Sequence, residues 1–170
     1  MQTFKKASRG FTLIEILIVI GIIAILAAIV IVAINPAKQF AQARNTQRES
    51  NVNTILNAIG QRIADNKGVF AGTYVINSVT YTCNALPTGS TGVVIKDTGS
   101  ADIADCLYPT YIPAGLPVDP SVTGAHWTDK NDYNTGYTVV ASTTGRITVC
   151  APEAANETAV PNPTEICVTR

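Results

Sequence analysis

From Phe11 to Ile34 the chain reads FTLIEILIVIGIIAILAAIVIVAI. This is a run of about 24 residues, which as a helix would extend roughly 36 Å against a hydrocarbon core of about 30 Å. It is long enough to cross a bilayer, and Glu15 is its only charged side chain. A secretory signal would carry a shorter apolar stretch, about 7 to 15 residues, followed by a small-x-small cleavage site. The run overshoots that length without such a site after it, so it reads as an anchor retained in the mature chain.

The chain has 170 residues, 46% hydrophobic and 14% charged, which leaves room for one modest domain beyond the anchor. Asn35-Pro36 interrupts the helix pattern, because proline lacks an amide donor and disfavours helical geometry in the residue before it. The same pair also makes a good start signal, with Asn35 as N-cap and Pro36 at the first helical position. The pattern therefore resumes: Val52, Ile55, Leu56, Ile59 and Ile63 form one apolar stripe, with Asn53, Asn57, Gln61 and Arg62 off it. Asn66-Lys67-Gly68 supplies a cation and then a glycine, which is a helix end.

Beyond Gly68 the composition turns to Thr, Val, Tyr, Gly and Pro in short alternating runs. The strand candidates are Tyr74 to Tyr81, Val93 to Lys96, Tyr137 to Ser142, Arg146 to Cys150 and a weak edge at Ile166 to Thr169. TVVASTTGRITVC, with Gly145 placed for positive φ, reads as a hairpin. Residues 82–92 and 97–135 read as loop-rich. The expected fold is α+β, a long N-terminal helix with a small antiparallel sheet covering the stripe at 52–63. Its parts are a leader at 1–10, a hydrophobic helix at 11–34, an amphipathic continuation at 35–67 and a sheet domain at 68–170.

Cys83, Cys106, Cys150 and Cys167 lack the C-x-x-C spacing of a zinc site, and His126 is the only histidine. They read as disulfides, with three pairings open. The sequence-local pairing closes loops of about 24 and about 18 residues, each worth roughly 3 kcal/mol on the chain-entropy account. Disulfides imply an oxidising space. That consideration also orients the anchor, because the charge rule is tied: Lys5, Lys6 and Arg9 precede the span while Lys38, Arg44 and Arg48 follow it. The cysteine-bearing part lies outside the cytoplasm and the leader within it.

Charge is segregated. Residues 36–67 carry Lys38, Arg44, Arg48, Arg62 and Lys67 against Glu49 and Asp65, whereas residues 68–170 carry four basic and nine acidic side chains. A basic stalk thus joins an acidic head. This is either ordinary surface charge or a means of docking one subunit's stalk on another's head.

RGFTLIEILIVIGIIAILAAI, with a short basic leader, a glycine, an aromatic and then Thr-Leu-Ile-Glu, resembles the N-terminus of type IV prepilins and of type II secretion pseudopilins. The resemblance implies that a prepilin peptidase cuts between Gly10 and Phe11 on the cytoplasmic side and methylates the new amine of Phe11. It further implies that a membrane assembly platform then moves the subunit from the lipid bilayer into a filament of its own copies at the cell surface. Glycine suits the cut, since its backbone is unobstructed by a Cβ. A carboxylate at a helix centre in lipid costs roughly 2.5 to 3.5 kcal/mol, less toward the interface. Glu15 therefore calls for a partner, and the resemblance supplies one in the Phe11 amine, its own or a neighbouring subunit's, as the contact that sets assembly. Gly21, Ala24 and Ala28 form a face of small residues that suits close helix approach. The chain departs from many pilins in having its first proline after the leader at Pro36, so any melting during extraction falls near Gly21 or at Asn35-Pro36.

DKNDYNTG at 129–136 is rich in oxygen ligands, but Tyr133 breaks the EF-hand pattern and no glycine stands at its sixth position. It reads as a polar turn with no metal. Calcium at Asp129, Asn131 and Asp132 is the lesser alternative, which LPVDP at 116–120 sustains because it resembles the LP-x-DP of some pseudopilins. His126 and Trp127 read as loop or packing residues, and no nucleophile motif or phosphate loop is present, so neither catalysis nor a cofactor is expected. The expected function is a structural subunit of a type IV pilus. The alternatives are a pseudopilin, a DNA-uptake pilin, disfavoured because the mature side chains offer no overall basic footprint, and a singly anchored monomer that keeps its N-terminus.

Overall fold

The computed structural model describes residues 10–170 of the chain, so the leader's Lys5, Lys6 and Arg9 fall outside the described residues. Two compact units result, one ending at Gln39 and the other running from Phe40 to Arg170. In the first, helix α1 covers Leu13–Ile34 and is capped by Thr12. Asn35 ends it with a φ of 47°. Helix α2 begins at once with Pro36 and runs to Asp65. Proline's missing donor is harmless at a first helical position, and the Lys38 amide donates to Asn35 Oδ1 at 3.3 Å. The Asn35-Pro36 pair thus ends one helix and starts the next.

The second unit is built on α2. Val52, Ile55, Leu56 and Ile59 are buried and Ile63 is half-buried, following the stripe. Arg62 corrects the sequence reading: it is buried as well. Its Nε donates to the Phe70 carbonyl at 3.2 Å, and its guanidinium lies 4.5 Å from the centre of the Tyr74 ring. Position 62 follows Ile59 by one helical step, and an arginine's stem and planar head can be buried against an aromatic ring. The helix closes where Lys67 and Gly68 take positive φ and the Gly68 amide reaches the Ile63 carbonyl at 2.8 Å.

Strands β1 (Gly72–Ile76) and β2 (Val79–Cys83) form a hairpin where the sequence suggested one strand. Asn77 and Ser78 both take positive φ, the geometry of a two-residue hairpin turn, and serine at the second position hid it from a search for Asn-Gly. Strands β3 (Val93–Lys96), β5 (Asp132–Ala141), β6 (Ile147–Ala151) and β7 (Ile166–Thr169) make an antiparallel sheet in the order β3-β5-β6-β7. Strand β4 (His126–Asp129) pairs with the start of β5. The β5–β6 connection is the expected hairpin, with the Ser142 amide donating to the Arg146 carbonyl and Gly145 at φ 83°.

Residues 97–135 are loop-rich but also carry regular elements. They include the short helix α3 (Ala104–Leu107), β4 and the first residues of β5. The polar run at 132–136 becomes strand because its buried polar atoms are satisfied. The Tyr133 hydroxyl donates to Asp102 Oδ1 at 2.8 Å and accepts from the amides of Ile103 and Ala104. Thr135 Oγ1 donates to the Ile95 carbonyl at 2.9 Å. Inward residues of the sheet, Ile95, Tyr137, Val139 and Val149, join the α2 stripe in one core.

Of the three cysteine pairings open to the sequence, the structure has the local one. Cys83 bonds Cys106, tying β2 to α3 within the core, and Cys150 bonds Cys167 across β6 and β7. Trp127 sits in β4 between Tyr108 and Tyr133, with ring centres 5.5 and 5.3 Å away. Its indole lies where a Cβ on Gly115 would stand, so only glycine fits there.

Candidate functional site

The motif-bearing residues are displayed rather than packed. Gly10 and Phe11 are exposed and precede the first turn of α1, and a Cβ on Gly10 would meet nothing within 4 Å. The Gly10–Phe11 bond therefore lies in open, non-helical backbone. Glu15 is held from behind by Thr12. The Thr12 amide and the Thr12 hydroxyl each donate to Glu15 Oε2 at 2.8 Å, and the Glu15 amide donates to Thr12 Oγ1 at 3.3 Å. This is a capping box, and it satisfies donors that a helix start leaves open. The sequence reading of Glu15 missed this intrachain role, although T-x-x-E ahead of an apolar run is its signature.

Helix α1 buries none of its residues. Among the described residues it is the one helix long and apolar enough to cross a membrane. Gly21, Ala24 and Ala28 are all exposed on it, and the helix runs through Gly21 without a break. An exposed apolar surface of this kind suits solvation by lipid or by other helices.

The second unit holds a cluster of charge that sequence reasoning did not assemble. Arg48 is fully buried. Its Nε donates to Asp119 Oδ2 at 2.7 Å and its Nη2 to Asp119 Oδ1 at 3.1 Å, while its Nη1 donates to Glu157 Oε1 at 2.6 Å and to Asn45 Oδ1 at 2.8 Å. Arg44 grips the same Glu157 through Nε at 2.7 Å and Nη2 at 2.5 Å. Two guanidinium groups against two carboxylates leave no net charge in the cluster, the condition for burying ions at all. Arg44 above all, with Arg48 beside it, holds the Glu157 carboxyl down to about 2. Burial pushes the Tyr137 hydroxyl up to about 12, and that hydroxyl accepts a hydrogen bond from Asn51 Nδ2 at 2.8 Å.

These contacts change the meaning of the charge segregation. Arg44, Arg48 and Arg62 are engaged within their own chain, so much of the stalk's positive charge is answered by the same molecule's head. No local sequence signal marks the pairs, since Asp119 and Glu157 lie 71 and 109 residues from Arg48.

Asp119 belongs to LPVDP, and both of its oxygens are taken, by Arg48 and by the amides of Ser121 and Val122. Asp129, Asn131 and Asp132 lie at the β4–β5 turn. The Asn131 amide donates to Asp129 Oδ1 at 2.7 Å, and Asp132 Oδ1 lies 3.0 Å from His126 Nε2. The Gly124 carbonyl, with Asp132 beside it, pushes the His126 imidazole above its ordinary value. Among the described residues the one group of three possible metal ligands is Cys150, Glu165 and Cys167, and its two sulfurs are bonded to each other.

Residues 5–31 match the family model described as the prokaryotic N-terminal methylation motif. That motif is the signature of type IV prepilins and pseudopilins. Neither the search of curated proteins nor that of solved structures found a match.

Proposed function

We propose that this chain is a structural, non-catalytic subunit of a type IV pilus, drawn from the membrane into a helical filament by bundling of α1 with the same helix of other copies. The observation that carries this reading is the methylation motif at 5–31 reaching along an apolar helix none of whose residues is buried. Prepilin peptidase removes residues 1–10 at the exposed Gly10–Phe11 bond and methylates the amine of Phe11. The head faces the oxidising side, where its two disulfides persist, and an assembly platform lifts the anchored subunit.

Lipid tails are about as apolar as leucine, so moving α1 from bilayer to bundle changes its solvation little. Glu15 supplies the bias. In lipid its carboxylate accepts from Thr12, whereas in a bundle it also meets the Phe11 amine of a neighbour. The ion pairing of Arg44 and Arg48 with Glu157 and Asp119 within the chain supports a filament subunit over a nucleic-acid binder, since it withdraws two of the stalk's cations from phosphates.

The second reading, a pseudopilin of a type II secretion system, is favoured by LPVDP at 116–120. Electron microscopy of fibres sheared from the native cells tests the proposal. Labelled fibres in the wild type, and none with Glu15→Ala although processing continues, are expected. A chain found only as an anchored monomer would refute it.

A further inference from the structure

Cys150 and Cys167 are register partners on β6 and β7, and their bond closes a loop over residues 150–167. Its setting differs from that of the other disulfide. Cys83 and Cys106 are 4% and 0% exposed within the core. Cys167 is exposed and Cys150 half-buried, and both line an open cleft with Thr138, Thr148 and Glu165.

What the outer bond closes is as informative as where it lies. The loop carries a 3-10 turn at Pro152–Asn156 and directly after it Glu157, the side chain that grips both Arg44 and Arg48 of α2. On its far side the loop returns through β7, an edge strand whose Ile166 and Val168 are only half-buried. Without the disulfide, the segment after Glu157 is held by the β6–β7 ladder, by the half-buried Ile166 and Val168 against the core, and by Arg170 donating to Asn57 Oδ1. Arg48 would still keep Asp119, so the buried guanidinium retains one carboxylate when Glu157 leaves.

We propose that residues 150–167 form a redox-sensitive latch on the stalk helix: reduction of Cys150–Cys167 frees Glu157 from Arg44 and Arg48 while the remainder of the head stays folded. The reductant is an external dithiol. Its thiolate attacks the exposed Cys167 sulfur, the Cys150–Cys167 bond breaks with Cys150 leaving as thiolate, and the second thiol of the reagent displaces Cys167. The reagent ends as a disulfide, and two electrons and two protons pass to the two cysteine thiols.

The test uses the full chain in detergent micelles, titrated with dithiothreitol, with freed thiols alkylated and located by mass spectrometry and amide hydrogen exchange followed in parallel. The latch requires Cys150 and Cys167 to be labelled at a reductant concentration at least about tenfold below that for Cys83 and Cys106. At that point the amides of Glu157 and Val160 should exchange at least about tenfold faster, with those of β3 and β5 unchanged. The double variant Cys150→Ser, Cys167→Ser should show the same local loss without reductant. Labelling of Cys83 and Cys106 first or together with the outer pair overturns the proposal. So does unchanged protection at Glu157 and Val160 once the outer bond is open, or loss of β3 and β5 protection at the same step.

Discussion

Helices α1 and α2 follow one another in the chain, yet α1 buries none of its residues whereas α2 buries Ala41, Arg48, Val52, Ile55, Leu56, Ala58, Ile59 and Arg62. The difference lies in where each helix finds its partner. Helix α2 packs on a sheet encoded by the same chain, which is specific enough to receive two arginines and meet them with carboxylates, a carbonyl and an aromatic face. Helix α1 has no buried residue, and among the described residues its one acid is answered by Thr12. A helix completed within the chain can tolerate buried charge of defined geometry. One completed by lipid or by copies needs a uniform apolar exterior and leaves its polar group for the partner to satisfy.

The comparison breaks most sharply at Arg48. Arg48→Ala leaves Asp119 buried without its cation and should destabilise the head by about 3–5 kcal/mol in denaturant unfolding of the detergent-solubilised chain. Next comes a matched pair of truncations. Ile59→Ala should cost about 2–5 kcal/mol of head stability, whereas Ile22→Ala, on a helix with no buried residue, should leave the head's melting temperature unchanged. A large effect of Ile22→Ala on head melting would erase the distinction between the two helices.

Acid sharpens the same contrast. The carboxyl of Glu157 is held at about 2 against an ordinary value of 4.5, so its stabilising contribution is complete above that ordinary value. It is lost as pH falls toward the folded value. Melting temperature should therefore decline between about pH 4.5 and pH 2, and Glu157→Gln should flatten the decline. The smallest effect belongs to Tyr137→Phe, which removes the hydroxyl bonded to Asn51 and should cost about 1 kcal/mol, read by the same unfolding transition.

What the sequence revealed divides along the same line. The long apolar helix, the restart at Asn35-Pro36, the stripe from Val52 to Ile59 and the 142–146 hairpin were legible because each rests on periodicity or on residues adjacent in the chain. The Thr12–Glu15 capping box was equally local, but attention to the cost of the carboxylate obscured its hydrogen-bonding use. Arg48, Asp119 and Glu157 were not legible, since nothing local distinguishes an arginine destined for the core from one facing water. Arg62 was missed for a related reason: its spacing placed it on the stripe while its polarity argued it off. The hairpin at Asn77-Ser78 was hidden by a turn whose second residue is not glycine.

The most direct test of the central claim is the intact mass of the chain recovered from its native envelope, with the N-terminal peptide sequenced. The account predicts a chain beginning at Phe11 and carrying one added methyl group on its amine. A chain that keeps Met1, or that begins elsewhere, would contradict it.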